Sequence, residues 1–83
     1  MKLNVKYFAS VREALGVGGE SIETSAASLG ALRDELIARG GAYGAALARG
    51  KSVRVALDQV MSDESAALRE GGEVAFFPPV TGG

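Results

Sequence analysis

Glu73-Val74-Ala75-Phe76-Phe77-Pro78-Pro79-Val80-Thr81-Gly82-Gly83 stands at the end of an 83-residue sequence. Val74 and Phe76 fall on one side of an extended chain, Glu73 and Phe77 on the other, which predicts a strand over 73–77. Pro78 and Pro79 offer no backbone N–H, so they cannot continue a central ladder. Tandem prolines also favour a stiff polyproline conformation that carries the chain away from the body. Gly82 and Gly83 lack a Cβ, so a chain end there can enter a channel too narrow for any other residue. At ~3.3–3.6 Å per residue, the stretch from Pro78 to Gly83 reaches roughly 20 Å, enough to cross a partner's surface. The expected division is a folded domain over 1–77 and an extended tail over 78–83. Gly-Gly alone also fits an inert, disordered terminus. Val-Thr-Gly-Gly directly after Pro-Pro and an aromatic strand is far more specific.

The other elements follow from hydrophobic periodicity. Residues 2–8 alternate, with Leu3, Val5 and Tyr7 on one face and Lys2, Asn4, Lys6 and Phe8 on the other, the pattern of a half-buried strand. Ala9 to Leu15 is helical and stops at Gly16. Glu20 to Thr24 is a weak second strand with Ile22 inward, antiparallel to the first. Ser28 caps a helix running to Arg39. Leu29, Leu32 and Leu36 form its buried stripe, and Arg33, Asp34 and Arg39 face solvent. Ala42 to Ala48 is a short further helix. Ser52 to Asp58 is a strand with Val53, Val55 and Leu57 inward, and Val60-Met61 begins a short fourth strand. Ala66-Ala67-Leu68 is a brief turn of helix before Glu70-Gly71-Gly72. The order predicts an α+β domain, a mixed sheet of about five strands with one main helix packed across it.

Composition narrows the chemistry. A chain this short has room for one core, and small domains often need a disulfide or a metal as a staple. With no Cys and no His, neither a disulfide nor a common zinc site is available. Thiol nucleophiles and the usual general base near neutral pH are absent too. A reacting group is therefore expected off the side chains. Nine basic and ten acidic residues leave a net charge of −1, unlike a nucleic-acid binder. No apolar run approaches the ~20 residues of a membrane span, and Met1-Lys2 leads into a strand rather than a signal peptide. A cytoplasmic location is expected.

Three motifs fail on inspection. Gly50-Lys51-Ser52 imitates the end of a P-loop, but Ala45 occupies the position of its first glycine, and a helix precedes where a strand should. Gly16 and Gly18 lack the third glycine of a dinucleotide fingerprint, since that position is Ser21. Asp58, Asp63 and Glu64 fit no calcium loop. The aromatics are more informative. Phe8 and Phe77 each sit on the otherwise polar face of a strand, and clustered exposed aromatics mark a partner site. A loop folded over them would instead make a satellite core. Arg12, one turn beyond Phe8, is a natural charged rim, or else an ordinary solvated helix residue.

On Tyr7-Phe8-Ala9-x-Val11-Arg12-Glu13 and on Glu73 to Gly83, the chain resembles the small, sulfur-carrying subunits of molybdopterin synthase, within the ubiquitin-like β-grasp superfamily. The similarity runs over the whole chain. Ala31-Leu32-Arg33 looks like the family helix, whereas Leu57-Asp58-Gln59 carries Asp where many members have Asn. The resemblance implies a β-grasp fold and no bound cofactor. It implies that an ATP-dependent activating enzyme adenylates the terminal carboxylate of Gly83, and that sulfur then replaces AMP to give a thiocarboxylate. The loaded tail would enter the large synthase subunit and donate sulfur to cyclic pyranopterin monophosphate. Gly82 would keep the last peptide slim, Val80 and Thr81 would lie in the partner's channel, and Pro78 and Pro79 would set their direction. Phe8, Arg12, Met61 and Phe77 would contact the activating enzyme, and an overlapping surface would meet the large subunit in a heterotetramer of two small and two large chains. Catalytic side chains would lie on the large subunit. A thiamine-pathway sulfur carrier, a protein modifier conjugated to lysines, and a plain binding module with an inert tail remain open alternatives. Pro78-Pro79 favours the molybdopterin branch.

Overall fold

The computed structural model describes residues 1–79. Eight elements follow in chain order: β1 (Lys2–Tyr7), α1 (Ala9–Leu15), β2 (Gly19–Glu23), α2 (Leu29–Ile37), α3 (Gly41–Ala46), β3 (Arg54–Leu57), β4 (Val60–Ser62) and β5 (Glu73–Phe77). The strands form one mixed sheet in the order β2-β1-β5-β3-β4. β1 and β5 pair in parallel, with Val5 beside Val74 and Tyr7 beside Phe76. The remaining neighbours are antiparallel. The expected α+β architecture is present, with α1, α2 and α3 where the sequence predicts helices.

Period-two alternation in the strands decides which face is covered. Leu3, Val5 and Tyr7 of β1, Ile22 of β2, Val55 of β3 and Val74 and Phe76 of β5 join one core cluster. Val11 of α1 and Leu29, Leu32 and Leu36 of α2 belong to the same cluster, so the helices lie on that face of the sheet. Ser28 caps α2 as expected, accepting from the Ala31 amide at 3.2 Å. Gly16, with φ 76°, ends α1 in the left-handed region where a side chain would be strained.

The structure overturns the solvent position expected for Arg33. Its side chain is buried, with the residue only 4% exposed. Arg33 occupies the i+4 slot of the stripe that Leu29 begins, so its helix face points inward. The guanidinium finds partners there. Nε donates to the Leu47 carbonyl at 2.8 Å, and Nη2 to the carbonyls of Ala48 at 2.8 Å and Lys51 at 3.2 Å. Nη1 donates to Glu64 Oε2 at 2.7 Å. One side chain thus ties α2 to the end of α3, to the segment before β3 and to the loop after β4.

Element boundaries also shift, α2 ending at Ile37 rather than Arg39. Ala66-Ala67-Leu68 is no helical turn: the Leu29 amide donates to Ala66, the Leu68 amide donates to Ala27, and Ala67 bridges Ser28. Three residues cannot nucleate a helix unaided, and the entry to α2 supplies better partners. α3 ends at Ala46, and the two carbonyls that follow accept from Arg33. β3 begins at Arg54 rather than Ser52, since Arg54 pairs with Phe77 and the prolines beyond Phe77 include no donor.

A second polar cluster fastens β1, β2 and the end of α2 together. Tyr7 and Tyr43 donate their hydroxyls to Glu20 Oε2 at 2.8 and 2.6 Å, and Arg39 donates to Oε1 at 3.0 Å. Arg39 also lies 4.9 Å from the centre of the Tyr43 ring. Burial alone would raise the Glu20 carboxyl, but the bonds from Tyr43, Arg39 and Tyr7 outweigh it and hold the group below its ordinary value. Among the described residues, no buried side-chain nitrogen or oxygen is left without a partner.

Two outcomes follow. Arg33→Met should lower the unfolding free energy by about 2–4 kcal/mol, read from urea denaturation, because the carbonyl of buried Leu47 loses its donor and the segment from Leu47 to Lys51 loses its tie to α2. For Glu20, the unfolded carboxyl binds its proton more tightly than the folded one. Its contribution is therefore complete above the ordinary value of 4.5 and is withdrawn as pH falls through the lower folded value. Thermal melts between neutral and strongly acidic pH should show Glu20→Gln less stable than the parent at neutrality, with the difference shrinking on acidification.

Candidate functional site

Strand register assigns the side chains of the helix-free face. In β1 these are Lys2, Asn4 and Lys6; in β5, Glu73, Ala75 and Phe77; in β3, Arg54 and Ala56; in β4, Met61. Phe77 pairs with Arg54, and Ala56 sits between Ala75 and Met61. Ala56 and Ala75 are buried although no helix covers this side. They form the floor between larger neighbours. Met61 stands over it 60% exposed.

Phe8 joins this face through a local device. Its amide donates to the Phe76 carbonyl at 3.1 Å, which continues the β1–β5 pairing by one residue and leaves Phe8 alongside Phe77. Its carbonyl accepts from the Val11 amide at 3.1 Å and the Arg12 amide at 3.3 Å, opening α1. The abrupt change from strand to helix is made at Ala9, whose φ is 50°. An L-residue with a side chain pays strain in that region. The result is an aromatic ring 46% exposed, next to the strand end from which Pro78 departs.

Arg12 and Met61 are held by two different means. A Cβ built on Gly18 would meet Arg12 Nε at 3.3 Å and Cζ at 3.4 Å. The bare glycine backbone is thus the seat on which the guanidinium lies. Met61 is brought round by a two-residue turn, Asp58-Gln59, with φ values of 50° and 68°. That is the left-handed hairpin turn Asp tolerates, so the departure from Asn keeps the turn. Asp58 Oδ1 also accepts from the Glu73 amide at 3.0 Å, and Oδ2 from Arg69 Nη2 at 2.8 Å. The Glu73 bond first, and Arg69 after it, hold the Asp58 carboxyl below its ordinary value.

The structure therefore gathers Phe8, Phe77 and Arg12 at one end of the sheet, with Met61 two strands away across the alanine floor. Pro78 and Pro79 are half-buried. Pro78 borders a cleft of about 140 Å³ with Val11 and Ala14 of α1, Ala46 of α3 and Lys51, Ser52 and Val53. The tail thus begins against α1 and against the segment whose Leu47, Ala48 and Lys51 carbonyls Arg33 holds. Val80, Thr81, Gly82 and Gly83 lie outside the described residues. Arg54 adjoins this face without a role read from the sequence. Alternation marks it as outward, but only the strand order puts it beside Phe77. Among the described residues, no group of His, Cys, Asp or Glu is arranged to hold a metal ion.

With this geometry established, three comparisons bear on it. The model of the ThiS family matches residues 5–83. The molybdopterin synthase sulfur carrier subunit of Haemophilus influenzae is 42% identical over 81 residues, covering 98% of this chain and 99% of that one. Among solved structures, SAMP1 from Haloferax volcanii superposes with a TM-score of 0.79 at 25% identity, over 100% of both chains. The complex of subunits 1 and 2 of the molybdopterin-converting factor from Helicobacter pylori contains a chain matching with a TM-score of 0.69 at 25% identity, again over 100% of both.

If Ala9 bears backbone strain to set Phe8 outward, Ala9→Gly should relieve it and raise stability by about 1 kcal/mol, less the entropy glycine restores to the unfolded chain. Paired urea titrations of the two proteins check this. A loss comparable to that of glycine in a helix interior would show that Ala9 is unstrained.

Proposed function

The chain belongs to the ThiS family and has the ubiquitin-like β-grasp fold, and from this premise we propose that it is the sulfur-carrying small subunit of a molybdopterin synthase. One observation carries the reading: exposed Phe8 and half-buried Phe77 stand side by side on the uncovered sheet face, at the root of a tail that runs Pro-Pro-Val-Thr-Gly-Gly. A docking surface placed there orients whatever follows Pro79 toward the partner that binds it. The similarity to a sulfur carrier subunit over nearly the whole of both chains supports the same assignment.

The chemistry follows from what the side chains lack. Without Cys or His, sulfur has no thiol to ride on, and the proposed carrier atom is the carbonyl carbon of Gly83. A free α-carboxyl has a pKa of about 3.3–3.7, so near neutrality it is a carboxylate and a poor acyl donor. Its oxygen attacks the α-phosphorus of ATP on an activating enzyme, pyrophosphate leaves, and an acyl adenylate forms. A sulfur nucleophile then displaces AMP, and the terminus becomes a thiocarboxylate. Phe8, Arg12, Met61 and Phe77 dock the body on each partner in turn. Pro78 and Pro79 aim Val80 and Thr81 into the large subunit's channel. Gly82 and Gly83 pass its narrowest point, and sulfur goes to cyclic pyranopterin monophosphate. Acids and bases for that step belong to the large subunit in this reading. Its ATP is consumed by the activating enzyme, so this chain needs no cofactor of its own.

Intact mass after incubation with the activating enzyme, ATP and a sulfur source tests the first half. The expected shift is the exchange of one oxygen for sulfur at the C-terminus. Deleting Gly82 and Gly83 should abolish that shift while leaving the thermal melt unchanged. Reconstitution with the large subunit and its pterin substrate tests the second half. Product formed only with a thiazole synthase would move the chain to the thiamine branch. Recovery as isopeptide conjugates without thiocarboxylate would make it a protein modifier.

A further inference from the structure

Six arginines occur in the chain, and their pairing is uneven. Arg33 binds Glu64, Arg39 binds Glu20, Arg49 binds Asp34 and Glu64, and Arg69 binds Asp58. Among the described residues the other two, Arg12 and Arg54, enter no ion pair. These two flank the aromatic pair. Arg12 lies one helical turn beyond Phe8, and Arg54 is the register partner of Phe77.

The vacancy at Arg54 is not for want of an acid nearby. The β3–β4 register runs from Leu57–Val60 through Val55–Ser62, so its next step would set Asp63 beside Arg54. Asp63 turns away instead: Oδ1 accepts from the Ser65 amide at 2.9 Å and from the Ser65 hydroxyl. On the other side of β5, Glu73 is engaged by Lys6 at 3.5 Å. Arg12 meanwhile rests on the bare backbone of Gly18, which offers it no charge. Nine cations stand against ten anions in the sequence, yet the two unpaired arginines adjoin the aromatic pair, Arg12 through the helix that Phe8 opens and Arg54 through its register with Phe77.

We propose that Arg54 is a partner-binding residue that pairs, together with Arg12, with carboxylates of the large synthase subunit bracketing an apolar pocket for Phe8 and Phe77. The proposal rests on the function given above and deepens it by stating the chemistry of the partner's surface. A guanidinium presents a planar fork that matches a carboxylate in two-point contact. Arginine and aromatic side chains together are the composition of interface anchors. Opposite charges across an interface steer encounter and reject wrong partners, and their effect fades with salt.

Binding kinetics to the purified large subunit test this, with the full chain immobilised and salt varied. Arg54→Glu should weaken binding about tenfold or more at low salt, chiefly by slower association, with the gap narrowing as salt rises. Arg54→Gln should fall between that variant and the parent. Lys2→Glu makes a charge reversal on the same face at the far end of β1 and should stay within about twofold of the parent. A lysine scan of the large subunit's acidic residues should yield one change that restores Arg54→Glu. Thermal melts of the variants, expected to match the parent because Arg54 is exposed, exclude misfolding as the cause. Equal losses for Arg54→Glu and Lys2→Glu, or parental binding by Arg54→Glu, would overturn the inference alone. A parent chain that does not bind the large subunit would overturn the proposed function and this inference with it.

Discussion

Parallel pairing of the first and last strands at the centre of the sheet is the constraint on which the molecule depends. β1 and β5 are far apart in sequence, and their pairing closes the longest loop in the domain. Tyr7 and Phe76, both fully buried, stack with ring centres 6.3 Å apart along that seam. The pairing has a direct consequence on the opposite face. Because β1 and β5 run the same way, the residues following Tyr7 and Phe76 emerge together. Phe8 and Phe77 are therefore neighbours by the same register that builds the core, and Pro78 leaves beside them.

Two polar ties make that arrangement rigid in a domain with no disulfide. Glu20 gathers Tyr7, Tyr43 and Arg39 at one end of the core. Arg33 joins α2 to the backbone carbonyls of Leu47, Ala48 and Lys51 and to Glu64 at the other. Burying a guanidinium is costly unless its donors find acceptors, and here it fastens a helix end and the loop that follows it to α2. The loop so fixed includes Lys51, which stands with Ser52 and Val53 against Pro78. Core stability and the exit of the tail thus share a residue.

The surface is built on different terms from the core. Its floor is alanine, its walls are Phe77 and Met61, and its edge is arginine without an acid. Apolar walls beside unpaired guanidiniums are the composition of an interface anchor. The sequence holds no Cys and no His, so the proposed carrier atom is the terminal carbonyl carbon.

Much of this was legible before any coordinates. Alternation in 2–8 and 73–77, the Ser28 cap and the leucine stripe locate the two central strands and the main helix, because each is a local preference of the backbone. Phe8 and Phe77 stand out as aromatics on polar faces for the same reason. What the sequence alone could not settle depends on partners distant along the chain. Arg33 reads as a solvated charge until α3 lays its carbonyls against it, and Ala66 to Leu68 reads as helix until the entry to α2 claims its hydrogen bonds. Arg54 reads as one outward cation among several until the strand order sets it against Phe77 and Asp63 turns to Ser65. Periodicity fixes which way a side chain points; only the packed sheet decides what waits there.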